Sequence, residues 1–391
     1  MKIIILGGGI TGLSAAHALS RKYPDAQITL LEKENRLGGW IRTSHEGGFL
    51  FEQGPRTFPF NRSPHLLSLI QDLKLEIITA APQKRYLYID GRLRSIASLL
   101  PSLLPYLIRE PFIAPATSED ESIYDFAARR FSPKIAETFF DPLTLGIYAG
   151  DIRKLSIRSC FPFLYNWERT KGSIIRALLF SKKGPKTQKG LFTVAGGMEA
   201  LIQALQKQLP VDFVLNCRVE TISEHEVQAG GKTWQADLIV SALPLQCPAR
   251  SLWVVNLAYE GDVLSKKGYG YLVPSNQNEA VLGVIFDSCI FPQQNSRNEM
   301  RLTAMIRAEE TAPIQTAIQT LARHLGIATQ PTYTSAFFAQ NAIPQFEVGC
   351  NYSEGLSVDA CVERGFKMAS EEMKESVKNH REHREHREKI P

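Results

Sequence analysis

Three glycines and one acid near the start of the chain have the residue types and the spacing of a nucleotide site. Gly7, Gly9 and Gly12 follow a short apolar run, and Glu32 ends a second apolar run 20 residues after the last glycine. In such a pattern the first glycine permits a tight turn and the second lets backbone N–H groups approach a pyrophosphate. The third lets a helix pack closely on the strands.

The elements that must hold these residues are two strands and the helix between them. The helix is predicted to begin at Ile10 and Thr11, and its N-terminus would present partial positive charge to the pyrophosphate. An acid at the position of Glu32 accepts hydrogen bonds from ribose hydroxyls and disfavours a 2′-phosphate. The segment therefore predicts a βαβ unit that binds FAD or NAD rather than NADP.

A second glycine-containing loop follows the acid directly and separates these two cofactors. It contains Lys33, Arg36, Gly38, Gly39 and Trp40. NAD enzymes have no need of such a loop, whereas this stretch closely resembles the E-x-x-x-R-x-G-G loop of flavoproteins of the amine-oxidase and phytoene-desaturase superfamily. The resemblance implies that the loop runs along the FAD pyrophosphate and ribityl chain, with the arginine in ionic contact. A surface hairpin with an ordinary Gly-Gly turn is the alternative.

Composition excludes several other classes of protein. With 391 residues and a 44% hydrophobic fraction, the chain is long enough for two or three domains. The net charge is only +5, and much positive charge lies in one stretch, 169–189, so nucleic-acid binding has little support. The six cysteines are scattered and the histidines lack metal-ligand spacing, so we expect reduced thiols of a cytosolic protein and no metal site.

Targeting and membrane signals are weak. Because the first predicted strand starts at Lys2, we expect no signal or transit peptide. The most apolar stretch, 99–115, contains four prolines, which argue against one continuous helix. It predicts short helices that cover a cleft, or alternatively a face that delivers an apolar ligand or contacts a membrane. We expect a cytoplasmic protein, with peripheral contact at the inner face of the membrane as the added alternative.

The order of strand-like and helix-like segments predicts an α/β fold of two interleaved domains. The first is a Rossmann-like FAD-binding domain, assembled from residues 1–60, 190–245 and 335–370. The second is an α+β substrate-binding domain, made of a helical insert over 61–189 and a β-rich part over 246–334. FAD is expected at their junction.

The end of the chain differs from the rest in composition. Residues 371–391 finish with three His-Arg-Glu repeats and have no apolar face to bury. Such a segment is predicted to be a solvated helix or disordered.

Four stretches narrow the activity. The segment that contains Gly54, Pro55, Arg56 and Thr57 resembles the E-x-G-P-R-T-F element of the oxygen-dependent protoporphyrinogen and coproporphyrinogen oxidases, the FAD enzymes of haem synthesis. Further stretches that resemble this family lie at 84–93, 120–162 and 268–288. Together they cover most of residues 1–370. The resemblance implies FAD contacts from those four residues and from three more, Val219, Gly355 and Val358.

The same resemblance implies a substrate site. A porphyrinogen is a large apolar macrocycle rimmed by carboxylates, so it needs cationic anchors, and an arginine grips a carboxylate with two hydrogen bonds. Arg85 matches the family's propionate-contacting arginine, Arg56 is the second candidate anchor, and Tyr269 with Gly270 would pack on the substrate ring. The alternatives are a surface salt bridge for either arginine and simple core packing for the tyrosine.

The family's chemistry, which the resemblance implies for this chain, needs no catalytic side chain. Flavin N5 accepts hydride from a meso carbon, O2 takes the electrons, and three rounds aromatise the ring. A ferrochelatase to which the porphyrin is handed over is a further implied partner. The rival interpretations are a carotenoid desaturase, an amine oxidase, or a flavin-binding protein with impaired turnover.

One region departs from the family. The stretches 343–345 and 351–361 resemble the family's late I-P-Q element and its final flavin-contacting turn and helix, but only residues 346–350 lie between them. Family members place a helix and a strand there. We therefore expect a chain that keeps the fold but holds FAD weakly and turns over slowly.

Overall fold

The computed structural model describes residues 1–81, 83–180, 188–244, 247–350, 352 and 355–370. The tail 371–391, including its His-Arg-Glu repeats, lies outside the described residues. The strands in the described part are, in chain order, β1 (Lys2–Leu6), β2 (Gln27–Leu31), β3 (Thr43–Ser44), β4 (Phe51–Glu52), β5 (Phe58–Pro59), β6 (Ile77–Thr79), β7 (Arg85–Ile89), β8 (Arg92–Ser95), β9 (Leu191–Val194), β10 (Asp212–Val214), β11 (Val219–Ile222), β12 (Glu226–Ala229), β13 (Lys232–Gln235), β14 (Leu238–Ser241), β15 (Ala249–Glu260), β16 (Gly270–Leu272), β17 (Val281–Ile285), β18 (Glu299–Arg307) and β19 (Tyr333–Pro344).

Helices connect and cover these strands. In the same part of the chain they are α1 (Ile10–Lys22), α2 (Pro64–Asp72), α3 (Ile96–Arg109), α4 (Ile123–Arg130), α5 (Pro133–Ile135), α6 (Asp141–Tyr148), α7 (Ile157–Cys160), α8 (Pro162–Lys171), α9 (Ile174–Phe180), α10 (Glu199–Gln208), α11 (Asp287–Ile290), α12 (Pro313–Leu325) and α13 (Val358–Met368). A π-helical turn covers Ala136–Phe140, and short 3₁₀ turns cover Glu46–Gly48, Phe60–Arg62, Glu110–Phe112, Ser275–Gln277 and Pro292–Gln294.

The first domain is built on a parallel sheet. Its described strands lie in the order β10-β2-β1-β14 and pair in parallel throughout. The central strand is apolar on both faces, as expected of a sheet covered on both sides: Ile3 and Ile5 pack in one core and Ile4 in another. Helices α1, α2, α10 and α13 cover the first of these faces, and the antiparallel strands β11-β12-β13 cover the second.

The second domain is built on a mixed sheet in the order β19-β15-β18-β17-β16-β7-β8. Two strands of 12 residues, β15 and β19, pair along most of their length from Ala249↔Pro344 to Ala258↔Tyr333. Helix α12 packs through Ala317 and Leu321 on the core of this sheet. The fold is thus the α/β, two-domain arrangement that the sequence predicts.

The helical insert packs on its own core and contains a buried ion pair. The Glu110 and Arg130 side chains are fully buried, with 3.0 Å between Oε1 and a guanidinium nitrogen. The Glu110 carboxylate also accepts hydrogen bonds from the backbone N–H groups of Ile174 and Ile175 at 3.0 and 3.1 Å. This carboxylate therefore ties the end of α3 to the start of α9.

The predicted domain boundaries differ from the structure in three places. Helix α2, predicted within the insert, buries Leu66 and Leu69 in the first domain's core. Strands β7 and β8, also predicted within the insert, belong to the mixed sheet. Strand β19, predicted in the FAD-binding domain, pairs with β15 instead, so that only α13 of the range 335–370 returns to the first domain. These assignments depend on distant packing partners that local sequence does not reveal.

The prediction that prolines break the stretch 99–115 is wrong for its first half. Helix α3 runs through Pro101 and Pro105 and ends only at Arg109. Proline fixes φ at a helical value and removes one N–H group. The two carbonyls that lose a donor belong to Ala97 and Pro101, which are exposed, so water can replace the missing bonds.

The helical segment 122–140 is interrupted. Ser122 is the N-cap of its first part and accepts a hydrogen bond from the backbone N–H of Asp125. The first segment, α4, nevertheless ends at Arg130, and α5 begins at Pro133, because proline disfavours the helical conformation in the residue before it. No helix in the described ranges is long and apolar enough to cross a membrane.

Candidate functional site

The turn between β1 and α1 has the geometry of a phosphate-binding loop. Gly7 adopts a φ of 99°, which favours glycine. A Cβ at Gly12 would lie 2.0 Å from the carbonyl oxygen of Gly7, so only glycine allows α1 to start so close to the strand. At Gly9, the N-cap of α1, a Cβ would meet nothing within 4 Å in the described part of the chain. The space beside the N-cap of α1, directly before Ile10 and Thr11, is therefore open.

Glu32 joins this turn to the neighbouring strands. Its side chain is only 8% exposed, and its two carboxylate oxygens accept hydrogen bonds from the N–H groups of Gly8 at 2.6 Å and Glu34 at 2.9 Å. Its carbonyl oxygen accepts from the N–H of Cys217, which brings the start of β11, with Val219, to the same edge. The contact of this carboxylate with the ribose hydroxyls stays a prediction.

The loop after Glu32 closes over the turn. The N–H of Gly38 donates to the carbonyl oxygen of Gly8 at 2.8 Å, and a Cβ at Gly39 would lie 3.3 Å from the Cα of Gly9. Trp40 is 46% exposed beside it. Backbone of the two glycine loops is thus in direct contact.

The charged residues of this loop have protein partners. Arg36 donates to the carbonyl oxygens of Gly39 at 3.0 Å and Ile41 at 2.8 Å, and its guanidinium lies 3.1 Å from the Glu199 carboxylate. Lys33 is exposed and pairs with Glu34 at 3.4 Å. Arg36 therefore braces the loop, and its ionic contact with a pyrophosphate stays a prediction.

The segment from Gly54 to Thr57 lies between the two domains. A Cβ at Gly54 would lie 1.9 Å from the carbonyl oxygen of Trp40, so this glycine lets two backbones cross beside Pro55. Arg56 is only 7% exposed and donates to Asp287 at 2.9 Å and to the carbonyl oxygen of Glu52 at 2.7 Å. The expectation that Arg56 grips a substrate carboxylate is therefore not supported, because a charged partner already occupies it.

The three predicted substrate residues come together. Gly270 pairs with Arg85 where β16 meets β7, and the Arg85 guanidinium lies 5.1 Å from the centre of the Tyr269 ring. The Tyr269 hydroxyl is 2.6 Å from the Thr57 hydroxyl, which connects this group to the Gly54 segment. Gly270 has a φ of 137°, and a Cβ there would lie 2.1 Å from the carbonyl oxygen of Val284.

The last helix returns to the first. Gly355 has a φ of 76°, and Val358 opens α13 inside the core that also contains α1. A Cβ at Gly365 would lie 2.5 Å from the carbonyl oxygen of Thr11, so glycine permits the close crossing of the two helices. The predicted final turn also includes Asn351, which lies outside the described residues.

The sequence matches, over residues 10–318, the family described as flavin containing amine oxidoreductase. The chain belongs to this family. It is an FAD-dependent oxidoreductase, as the two glycine loops predict. Protein structures similar to this flavin oxidoreductase include reduced UDP-galactopyranose mutase, with a TM-score of 0.73, 14% identity and 94% of each chain covered. Another is putrescine oxidase bound to putrescine, with a TM-score of 0.67, 18% identity and coverage of 94% and 98%. These likenesses show the fold.

Relatives with assigned names align with almost the whole oxidoreductase. The protoporphyrinogen oxidase of Homo sapiens is 30% identical over 464 positions, which cover 94% of this chain and 97% of the relative. The coproporphyrinogen III oxidase of Bacillus subtilis is 25% identical and covers 89% and 88%. The human alignment has about 95 positions at which this chain has no residue. The shortening inferred from the sequence is consistent with that difference.

The residues present fit FAD. Free space at Gly9 in front of a helix N-terminus suits a pyrophosphate. Near the domain junction two buried polar atoms, Oε1 of Gln53 and Nε of Arg56, have no hydrogen-bond partner in the described ranges. Buried polar groups are normally satisfied, so these two atoms are candidate partners for a polar ligand beside Gly54.

A buried network that the sequence analysis did not single out supports the Gly54 segment. Glu52 accepts hydrogen bonds from the N–H of Met198 at 2.7 Å and the hydroxyl of Thr43 at 2.9 Å. Asp287 accepts from Arg56 and, at 2.7 Å, from the Thr303 hydroxyl. Glu52 and Asp287 both lie within sequence stretches that resemble the porphyrinogen oxidases, which could have drawn attention to them. Nothing in the nearby sequence indicated that the two acids belong to one network.

The Glu52 carboxyl predicts a pH dependence of stability. Burial raises its pKa from 4.5 to about 7, against the opposing effects of the Met198 N–H, Thr43 and Arg56 and with a contribution from Asp287. Between these values the folded protein binds more protons than the unfolded chain, so stability falls as the pH rises through this window. The gap corresponds to about 3 kcal/mol. Glu52→Gln is expected to flatten this part of the stability–pH curve, measured by urea unfolding.

Glu224→Gln is the matched control, because this glutamate is exposed. It should leave the slope between pH 4.5 and 7 unchanged. An unaltered slope in Glu52→Gln would place the titrating group elsewhere.

Proposed function

We propose that this flavin oxidoreductase oxidises a porphyrinogen, either protoporphyrinogen IX or coproporphyrinogen III, to the porphyrin in haem synthesis. Relatives named for both substrates support the reaction, since they align over 89–94% of the chain. The observation that carries the proposal is the arrangement of Arg85, Tyr269 and Thr57 at the domain junction.

This arrangement suits the ligand chemically. Arg85 is exposed, lies over an aromatic ring and has no carboxylate partner among the described residues, so its guanidinium is free to bind a propionate with two hydrogen bonds. The half-buried Tyr269 ring offers an apolar face to the macrocycle. Its hydroxyl is fixed by Thr57, which orients the ring.

The protein's part in the reaction is to bind and orient. Bound FAD would supply the acceptor for hydride from the macrocycle, and we propose O2 as the final acceptor. Conversion to the porphyrin removes six hydrogens in three two-electron rounds, with one O2 reduced to H2O2 in each. Arg85 holds the carboxylate rim of the substrate. The Tyr269 and Thr57 hydroxyls share a hydrogen bond with each other.

The cellular setting is a part of the same proposal. The apolar, exposed helix α3 favours peripheral contact with the inner face of a membrane from the cytoplasm. A ferrochelatase that receives the product would complete the route, because a porphyrin is poorly soluble and its metal-free ring is the substrate for metal insertion.

Arg85→Ala is expected to raise KM for the porphyrinogen and leave kcat nearly unchanged. A charged hydrogen bond contributes about 1.5–3 kcal/mol, which is lost from substrate and transition state alike. Porphyrin formation is followed directly as fluorescence, since porphyrinogens do not fluoresce. Both porphyrinogens are tested side by side, and the substrate with the higher kcat/KM identifies the activity.

Arg153→Ala is the matched control. Arg153 also lies over an aromatic ring, 3.6 Å from the centre of Tyr124, but on the helical insert. Its kinetics should equal those of the unchanged protein. If flavin-loaded protein oxidised neither porphyrinogen but did oxidise a carotenoid precursor or an amine, the proposed function would be wrong.

A further inference from the structure

A cationic cavity lies beside the β7–β8 hairpin, away from the predicted FAD contacts. It has a volume of about 660 Å³, and its walls include Arg92, Arg94, Ser95, Ser98 and Lys266. No carboxylate is among its lining residues. The cavity therefore has the charge and hydroxyl groups that recognise a phosphate.

The cations of this cavity are only partly neutralised. The Arg94 guanidinium lies 3.6 Å from Asp90, and the Lys266 ammonium donates to a backbone carbonyl at 3.5 Å. One wall is His324, whose ring nitrogens already contact the Tyr271 hydroxyl and Glu279. Arg92 and Lys266 are both exposed, so they remain able to bind an anion.

An exposed apolar surface starts at the same place. Ser95 caps α3, and the helix then presents Leu100, Leu104 and Ile108, followed by Phe112 in the next turn, at exposures of 50–81%. We call these four residues the apolar ridge. Between Ile96 and Ile108 the helix has no charged residue. The helix packs Leu103 and Leu107 against the core of the helical insert, whereas the apolar ridge stays exposed.

A second group of exposed apolar residues lies on α9, which contacts the turn Glu110–Phe112. Helix α9 is held at its start by Glu110, two residues before Phe112, and its last three residues are at least 58% exposed: Leu178, Leu179 and Phe180. Monomeric proteins rarely expose large apolar surfaces unless these bind a partner or a membrane.

We propose that the cavity binds the phosphate headgroup of an anionic phospholipid while the apolar ridge rests among the acyl chains. The ligand must be an amphiphile, because a cationic cavity and an apolar surface adjoin on one helix. A second copy of the chain fits less well, since it would bring the same cations to the contact. This inference rests on one part of the proposed function, the contact of the protein with a membrane. It adds a site for the lipid headgroup and a preference for negatively charged lipid.

Vesicle flotation tests the site. The FAD-loaded protein is mixed with vesicles of phosphatidylcholine alone or with added phosphatidylglycerol, and preferential flotation with the second is expected. Arg92→Ala and Lys266→Ala should each weaken this binding roughly five-fold. Lys232→Ala, an exposed cation on β13, is the control and should bind as the unchanged protein does. Leu104→Ser combined with Ile108→Ser should abolish flotation with both vesicles.

Three outcomes would overturn the inference. One is equal flotation with both vesicle types, and another is full flotation by the two cavity variants. In the third, the protein does not float with either vesicle type, but inorganic phosphate at constant ionic strength protects it from thermal unfolding. If the cavity variants lose this protection, the occupant of the cavity is a soluble anion. Porphyrinogen turnover in detergent is measured in parallel. If the cavity variants show a higher KM and unchanged flotation, the cavity belongs to the substrate site. If the unchanged protein floats but oxidises no porphyrinogen, only the proposed function is refuted.

Discussion

Glu32→Ala is expected to yield folded protein that retains little FAD. The sequence predicts that the carboxylate binds ribose hydroxyls, and in the structure it holds the glycine turn through the N–H groups of Gly8 and Glu34. Alanine removes the ribose contact and frees the turn that must meet the pyrophosphate. Because a hydrogen bond to a charged group contributes about 1.5–3 kcal/mol, losing the ribose contacts should weaken FAD binding by at least ten-fold. Flavin absorbance per chain after gel filtration, and equilibrium titration of the apoprotein with FAD, measure the effect.

Glu34→Ala is the control for this variant. Its side chain is exposed and pairs only with Lys33 among the described contacts, so its flavin content should equal that of the unchanged protein. The unchanged protein also tests the expectation of weak FAD binding that follows from the short segment 346–350. One tightly bound FAD per chain would contradict that expectation, and full retention in Glu32→Ala would remove this acid from the site.

Asp287→Ala is expected to destabilise the fold by about 3–5 kcal/mol. This is the usual effect of removing one partner of a buried ion pair, because the other charge stays buried. Here Arg56, 7% exposed, would lose its carboxylate, and the Thr303 hydroxyl would lose its acceptor. The free energy of unfolding in urea, and the midpoint of thermal unfolding, measure the loss.

Two variants make this expectation specific. Asp287→Asn keeps the shape and one acceptor, so its loss should be smaller than that of alanine. Asp262→Ala breaks an exposed pair with Lys267, with 2.5 Å between the charged groups, and such pairs contribute about 0–1 kcal/mol. Equal stability of the Asp287 and Asp262 alanine variants would show that the buried pair contributes no more than a surface pair does.

The parts of the fold that the sequence predicts correctly are those with a local signal. The turn with Gly7 and Gly12, the loop with Gly38 and the acid at Glu32 meet as expected, because all lie within one βαβ unit and its next loop. Their geometry follows from backbone that only glycine allows. Residue type and spacing are sufficient there.

The parts that could not be predicted depend on distant partners. Arg56 and Asp287 are 231 residues apart in sequence, so nothing near Arg56 shows that its charge is already paired. Strand β19 has the same local pattern whether it joins the first sheet or the second, and its pairing with β15 decides. Helix α3 continues through two prolines because its freed carbonyls face water, which sequence periodicity does not show.

The pairing of the first strand has a consequence for how the chain is made. Lys2 in β1 is bonded to Asp237, 235 residues later, and α1 receives its partner Gly365 later still. Ribosomes add about 5–20 residues per second, so β1 waits roughly 10–50 s for its neighbour β14. During synthesis the glycine turn exists without half of its support, and its apolar strand is open to wrong partners. The complete support of the glycine turn is therefore assembled only after β14 and α13 have been made.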